Sequence, residues 1–118
     1  MKYKILILED NSNRIKQFKL ALKDQDVIYT DDALEAIELL KKHKFDYIFL
    51  DHDLGCLENE WDEENCGMLV AKYISKHSIS KKSNVIVHSL NVSRAQEMVY
   101  IMENSRYVPF AWNLINIE

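Results

Sequence analysis

Lys4-Ile5-Leu6-Ile7-Leu8, broken at once by Glu9-Asp10-Asn11-Ser12-Asn13, is the stretch that decides the fold. An apolar run without alternation marks a strand buried on both faces, as in a parallel sheet covered by helices on either side. The polar residues after it end the strand. Ser12 or Asn13 is then positioned to cap a helix whose Ile15, Phe18, Leu22 and Leu20 face inward. The same unit recurs downstream. Asp26 to Thr30 reads as a second strand, and Asp31-Asp32 cap a helix with an apolar stripe of Leu34, Ile37, Leu39 and Leu40. That helix ends in Lys41, Lys42, His43 and Lys44, the charge sign a helix C-terminus favours. Phe45 to Leu50 is a third strand ending in Asp51-His52-Asp53, and Gly67 starts a helix through Met68, Leu69, Ala71, Tyr73 and Ile74. Asn84 to Val87 is a fourth strand, running into His88-Ser89-Leu90-Asn91. Ser93 caps a helix carrying Ala95, Met98, Val99, Ile101 and Met102, and Arg106 to Val108 is a short fifth strand before Pro109. Strand and helix alternating in this way predict a doubly wound α/β sheet with right-handed crossovers.

The 118 residues suit one domain, 1–118, and 47% hydrophobic with 29% charged residues is ordinary globular composition. A net charge of −4 argues against a protein that coats duplex nucleic acid, while leaving room for a small phosphorylated ligand. No apolar run approaches the roughly 20 residues that span a bilayer, and the opening MKYKILILED does not read as a signal peptide, so none is expected. Cys56 and Cys66 are too few for a disulfide framework and lack the partners of a zinc site. They are read as reduced thiols in a cytoplasmic protein.

In a doubly wound sheet the ligand site lies outside the carboxyl ends of the strands. Three strands end there in polar groups: Glu9-Asp10, Asp51-His52-Asp53 and His88-Ser89-Leu90-Asn91. Carboxylates gathered at one edge repel one another, and their oxygens are the donors a hard cation such as Mg²⁺ or Mn²⁺ takes. Glu9, Asp10 and Asp51 are therefore expected to bind metal, with Asp53 adding an oxygen. The plainer account, helix caps and solvated loop acids, is adopted for Asp31-Asp32. His52 and His88 follow directly on strands aimed at the same edge and are expected to serve as acid and base. His43 and His77, at helix ends, read as packing or surface residues. Ser89 and Asn91 either orient a phosphate or cap the next helix. Arg14, on the first turn after Asp10, either clamps a phosphate or pairs with a nearby acid. The acidic stretch 57–65 is a solvated loop or a lid bringing Trp61 to the site.

The acidic pair after the first strand, the Asp after the third and the repeated βα units resemble response-regulator receiver domains over nearly the whole chain. That resemblance implies a flavodoxin-like five-stranded parallel sheet of order 2-1-3-4-5, Mg²⁺ on the acids and phosphoryl transfer to Asp51. Two departures weaken phosphorelay signalling: Val108 stands before Pro109 where receivers carry a lysine, and nine residues after Pro109 are too few for the last full helix. The chain is more similar to the divergent cyclic-phosphate-processing receiver domains. The similarity rests on Glu9-Asp10 with Arg14, Asp51-His52-Asp53-Leu54-Gly55, Asn65 with Gly67, His88-Ser89-Leu90-Asn91 and Pro109-Phe110-Ala111-Trp112. It implies a metal-dependent phosphodiesterase acting on a cyclic phosphate of a nucleotide or RNA end. In that reading Asp51, His52 and His88 are catalytic and Arg14, Ser89 and Asn91 bind substrate. The alternatives are a receiver that signals through Asp51 and a silent module binding a nucleotide or a protein. The apolar tail Phe110, Trp112, Leu114, Ile115 and Ile117 suggests a homodimer.

Overall fold

The computed structural model describes residues 2–51, 67–89 and 92–108. Its elements are β1 (Lys4–Leu8), α1 (Ser12–Ala21), β2 (Asp26–Thr30), α2 (Ala33–Lys42), β3 (Tyr47–Leu50), α3 (Gly67–Lys76), β4 (Asn84–Val87), α4 (Val92–Ile101) and β5 (Ser105–Tyr107), with one 3₁₀ turn, Ile79–Lys81, before β4. All strand pairs are parallel and the order is β2-β1-β3-β4-β5, as the sequence resemblance implied. No helix among the described residues is long and apolar enough to cross a membrane.

The handedness of the crossovers decides which helix covers which face. From β1 the chain steps outward to β2, so α1 lies on one side. It then returns past β1 to β3 and continues to β4 and β5, which puts α2, α3 and α4 on the other. Strand side chains alternate to match. Ile5, Ile7, Phe49 and Ile86 pack with Phe18 and Leu22 of α1. Leu6, Leu8, Ile48, Leu50, Val85 and Val87 pack with Ala33, Ala36 and Leu40 of α2, Met68, Ala71 and Ile74 of α3, and Ala95 and Met98 of α4. β1 is therefore apolar without a break from Ile5 to Leu8 because both of its faces are covered there.

Local chemistry sets the helix starts, and here some expectations shift. Asn11, rather than Ser12 or Asn13, caps α1: its Oδ1 accepts from the Arg14 amide at 3.0 Å. Asp32 caps α2 through the Leu34 amide, also at 3.0 Å. Leu20 is 71% exposed and Leu34 58% exposed. The face of α2 turned to the sheet is Ala33, Ala36 and Leu40, which puts Leu34 on the outward side. β3 begins at Tyr47 instead of Phe45, and β5 runs Ser105–Tyr107, one residue earlier than expected. The acidic loop with Trp61, both cysteines and the tail from Pro109 onward lie outside the described residues.

Candidate functional site at the carboxyl edge of the sheet

Leu8, Leu50 and Val87 stand in register across β1, β3 and β4, so the next residue of each strand forms one row: Glu9, Asp51 and His88. The ladder continues into that row, with the Asp51 amide donating to the Leu8 carbonyl at 3.1 Å and the His88 amide to the Leu50 carbonyl at 2.9 Å. By alternation all three side chains share the α1 face with Ile7, Phe49 and Ile86. β1 and β3 flank the point where the strand order reverses, the usual ligand crevice of this architecture.

All three side chains are buried, and each offers a potential ligand atom within 4.8 Å of the others. Arg14, 17% exposed at the mouth, ties the carboxylates together. Its Nη2 donates to Glu9 Oε2 at 3.2 Å and to Asp51 Oδ2 at 3.3 Å, while Nε lies 2.9 Å from Glu9 Oε1 as an ion pair outside hydrogen-bond alignment. Glu9 also accepts from the backbone amides of Asp10 (3.0 Å) and Asn11 (3.1 Å) and meets His88 Nε2 at 3.0 Å. Burial alone would push the Glu9 carboxyl up. The His88 hydrogen bond, the Asn11 amide and the Arg14 charge outweigh it and hold Glu9 well below the ordinary carboxylate range.

His88 departs from the expected placement. Its ring is 0% exposed, edge-on to Phe18 at 5.1 Å and tilted against Phe49 at 6.4 Å, so it is packed among α1-side aromatics rather than open to a phosphate. Burial lowers its pKa, only partly opposed by the bond to Glu9. The imidazole is neutral near pH 7, and the Glu9 carboxylate selects the Nε2–H tautomer. Among the described residues its Nδ1 has no hydrogen-bond partner. Counting by twos from Ile86 is the sequence signal that would have placed this histidine on the α1 face.

Asp10 contributes through its backbone amide; its side chain is exposed and is not part of the buried trio. Partial desolvation, and then the charge of Glu9, raise its pKa. Ser89 is fully buried. His52, Asp53 and Asn91 lie outside the described residues. Val108, at the position of the receiver lysine, gives its amide to the Val87 carbonyl at 2.9 Å and packs on the α1-side core. A valine supplies neither charge nor a side-chain donor at this edge.

The donor set fits a hard divalent cation in kind, since Glu9 and Asp51 present carboxylate oxygens side by side. Arg14 already supplies positive charge there, so an incoming cation competes with the guanidinium for the same oxygens.

A model of the cyclic-phosphate processing receiver domain matches residues 4–104. No curated protein matches the chain in sequence. Among solved structures, the phosphorylated phytochrome response regulator of a cyanobacterium superposes with a TM-score of 0.72 at 22% identity, covering 92% of this chain and 81% of that one. The receiver domain of a Francisella response regulator gives 0.71 at 22% identity over 97% and 91%. The chemotaxis response regulator of Vibrio cholerae gives 0.68 at 17% identity over 90% and 85%. At these identities the likeness is one of fold.

Proposed function

The chain belongs to the family of cyclic-phosphate processing receiver domains, and on that footing we propose that it holds a divalent cation at its acid edge and hydrolyses a cyclic phosphate on a nucleotide or RNA end. One observation carries the proposal: Glu9 and Asp51, from separate strands, are buried side by side at the topological switch point with an arginine at their mouth. Two buried carboxylates cost free energy to hold together, and a fold retains such pairs most readily where charge is to be bound.

Mg²⁺ or Mn²⁺ would be held by Glu9 and Asp51, with Asp10 and Asp53 as further oxygen donors. Bound there, it supplies charge neutralisation for the non-bridging phosphate oxygens. The rest falls to side chains. Arg14 clamps a second phosphate oxygen with its fork. His88, neutral and fixed between Phe18 and Phe49, acts through Glu9 as a positioning residue that keeps this carboxylate turned toward Asp51. His52 takes the proton of the attacking water and returns one to the departing ribose oxygen as the P–O ring bond breaks, giving a monophosphate ester. Asn91 orients the phosphate, a role the burial of Ser89 makes unsuited to that neighbour.

The assay is a 2′,3′-cyclic nucleotide and an RNA with a cyclic-phosphate end, each incubated with Mg²⁺ or Mn²⁺ and scored for monophosphate. Turnover abolished in Asp51→Asn, with the fold intact by circular dichroism, is the expected result. A second reading, a silent binding module, draws on the saturation of Glu9 by its own arginine, histidine and backbone amides. Survival of every cyclic phosphate offered, alongside nucleotide binding that Asp51→Asn weakens, would put that module in place of the enzyme.

A further inference from the structure

The opposite end of the sheet carries an unassigned cavity. Where α2 runs into β3 and the 3₁₀ turn runs into β4, a cavity of about 740 Å³ opens, a volume within the range of small-ligand sites. Its apolar wall is Leu40, Phe45 and Ile79, the first two buried. Around that wall stand Lys41, Lys42, Lys44, Lys81 and Lys82, a third of the 15 cationic residues of a chain whose net charge is −4.

Helix dipoles account for little of this charge. The cavity lies at the C-termini of α2 and α3, and each such end carries about half a negative charge, so roughly one lysine would answer both. Lys41 is partly committed to Glu38 at 3.1 Å. Lys42, Lys44, Lys81 and Lys82 have no carboxylate within ion-pair distance among the described residues. Asp46, the one acid among the described residues lining the cavity, is engaged at its Oδ2 by the Lys4 amide at 2.9 Å. Lys4 brings still more charge, its Nζ donating to His43 Nδ1 at 2.9 Å beside the Phe45 ring. The gathering is built by tertiary structure. Ser78 takes a left-handed φ of 54°, a conformation that disfavours non-glycine residues, and turns the chain leaving α3 so that Lys81 and Lys82 join Lys42 and Lys44. Ser83 Oγ donates to the Phe45 carbonyl at 2.5 Å and pins the two segments together. Uncompensated like charges destabilise a fold by mutual repulsion, and an anion relieves it.

We propose that this cavity is a second ligand site, separate from the acid edge, that takes a compact polyphosphate group. A concave site fits a compact anion better than a polymer, which needs a charged track along the surface. The polyphosphate has two chemical sources, an inorganic chain or a nucleotide whose apolar portion would lie on Leu40, Phe45 and Ile79.

The test is calorimetric titration of the full chain with inorganic triphosphate and with ATP, without divalent metal and at low ionic strength. Both are expected to bind, with affinity falling as salt rises. In Lys44→Glu/Lys82→Glu binding should weaken by roughly tenfold or more, and Lys44→Ala/Lys82→Ala should show the same direction with less repulsion. All four changes are at exposed positions, and circular dichroism checks the fold. Tighter binding of ATP than of triphosphate identifies the nucleotide as the source; equal binding identifies the phosphate chain alone. The proposal is overturned if neither anion binds, if binding survives the charge reversal, or if Asp51→Asn abolishes it. Binding of a single-stranded oligonucleotide in place of both small anions would overturn it as well.

Discussion

Arg14 is the residue on which the acid edge turns. Glu9 and Asp51 are almost wholly buried, and among the described residues the guanidinium is the cation that reaches both. Replacing it by an apolar side chain of similar reach leaves two carboxylates facing each other in a poorly solvated site. Arg14→Met should therefore destabilise the fold by about 3 kcal/mol, in the range for breaking a buried ion pair. The same variant should respond more strongly than the parent to millimolar Mg²⁺ in a thermal melt, because no guanidinium competes for the oxygens. An equal or smaller Mg²⁺ response in Arg14→Met would remove the cation from the proposed function. That Arg14 lies near the acids was legible from its place one helical turn after Asp10. Its hold on Asp51, across the strand order, was not.

Among the described elements, α1 has the largest consequence for the site, because it is the helix among them that covers the sheet face onto which Glu9, Asp51 and His88 project. Its Phe18 packs edge-on to both Phe49 and His88, at 5.4 and 5.1 Å. Phe18→Ala opens a cavity beneath the row and should cost about 3–5 kcal/mol in denaturant unfolding. The smaller change Asn11→Ala removes the cap on the Arg14 amide and should cost about 1 kcal/mol. If Asn11→Ala proved neutral, the first turn of α1 would be held by Arg14 and its acids rather than by the cap. Helix existence was legible from apolar spacing, but the capping residue was not: Asn11, Ser12 and Asn13 all have capping side chains. Only the direction in which the chain leaves β1 selects Asn11.

Across the molecule, the environments of His88 and Glu9 both make stability fall as pH drops below neutrality. His88 has a folded pKa below its ordinary 6.5, so below about pH 6.5 the unfolded chain takes up a proton that the folded chain refuses, and stability falls. Glu9 has a folded pKa below its ordinary 4.5, so its contribution is complete above that value and is lost as pH drops further. Asp10 is shifted upward and opposes the trend, weakly because it is exposed. Urea unfolding should therefore show stability declining from pH 7 to pH 5, by at most about 1.4 kcal/mol per pH unit from His88. His88→Gln should flatten that slope whatever it does to absolute stability. An unchanged slope would mean that His88 is not held neutral in the fold. Charge is also unevenly placed along the strands, with the buried Glu9 and Asp51 at the carboxyl edge and a lysine cluster at the amino end of β3 and β4. The net value of −4 conceals this separation.

The amino-acid sequence by itself determined the parallel doubly wound sheet, because a strand covered on both faces has to be apolar throughout and each polar break has to start a helix. It also determined that Glu9 and Asp51 share an edge, since residues directly after parallel strands emerge on the same side. Only the tertiary structure decided that His88 is packed against Phe18 and Phe49 rather than open at the edge. That depends on strand register and on Phe18 arriving from another element, neither of which leaves a local signal. The lysine-lined cavity was likewise decided in three dimensions. Lys41 to Lys44 look like an ordinary helix end until β3 and β4 pair and bring Lys81 and Lys82 beside them.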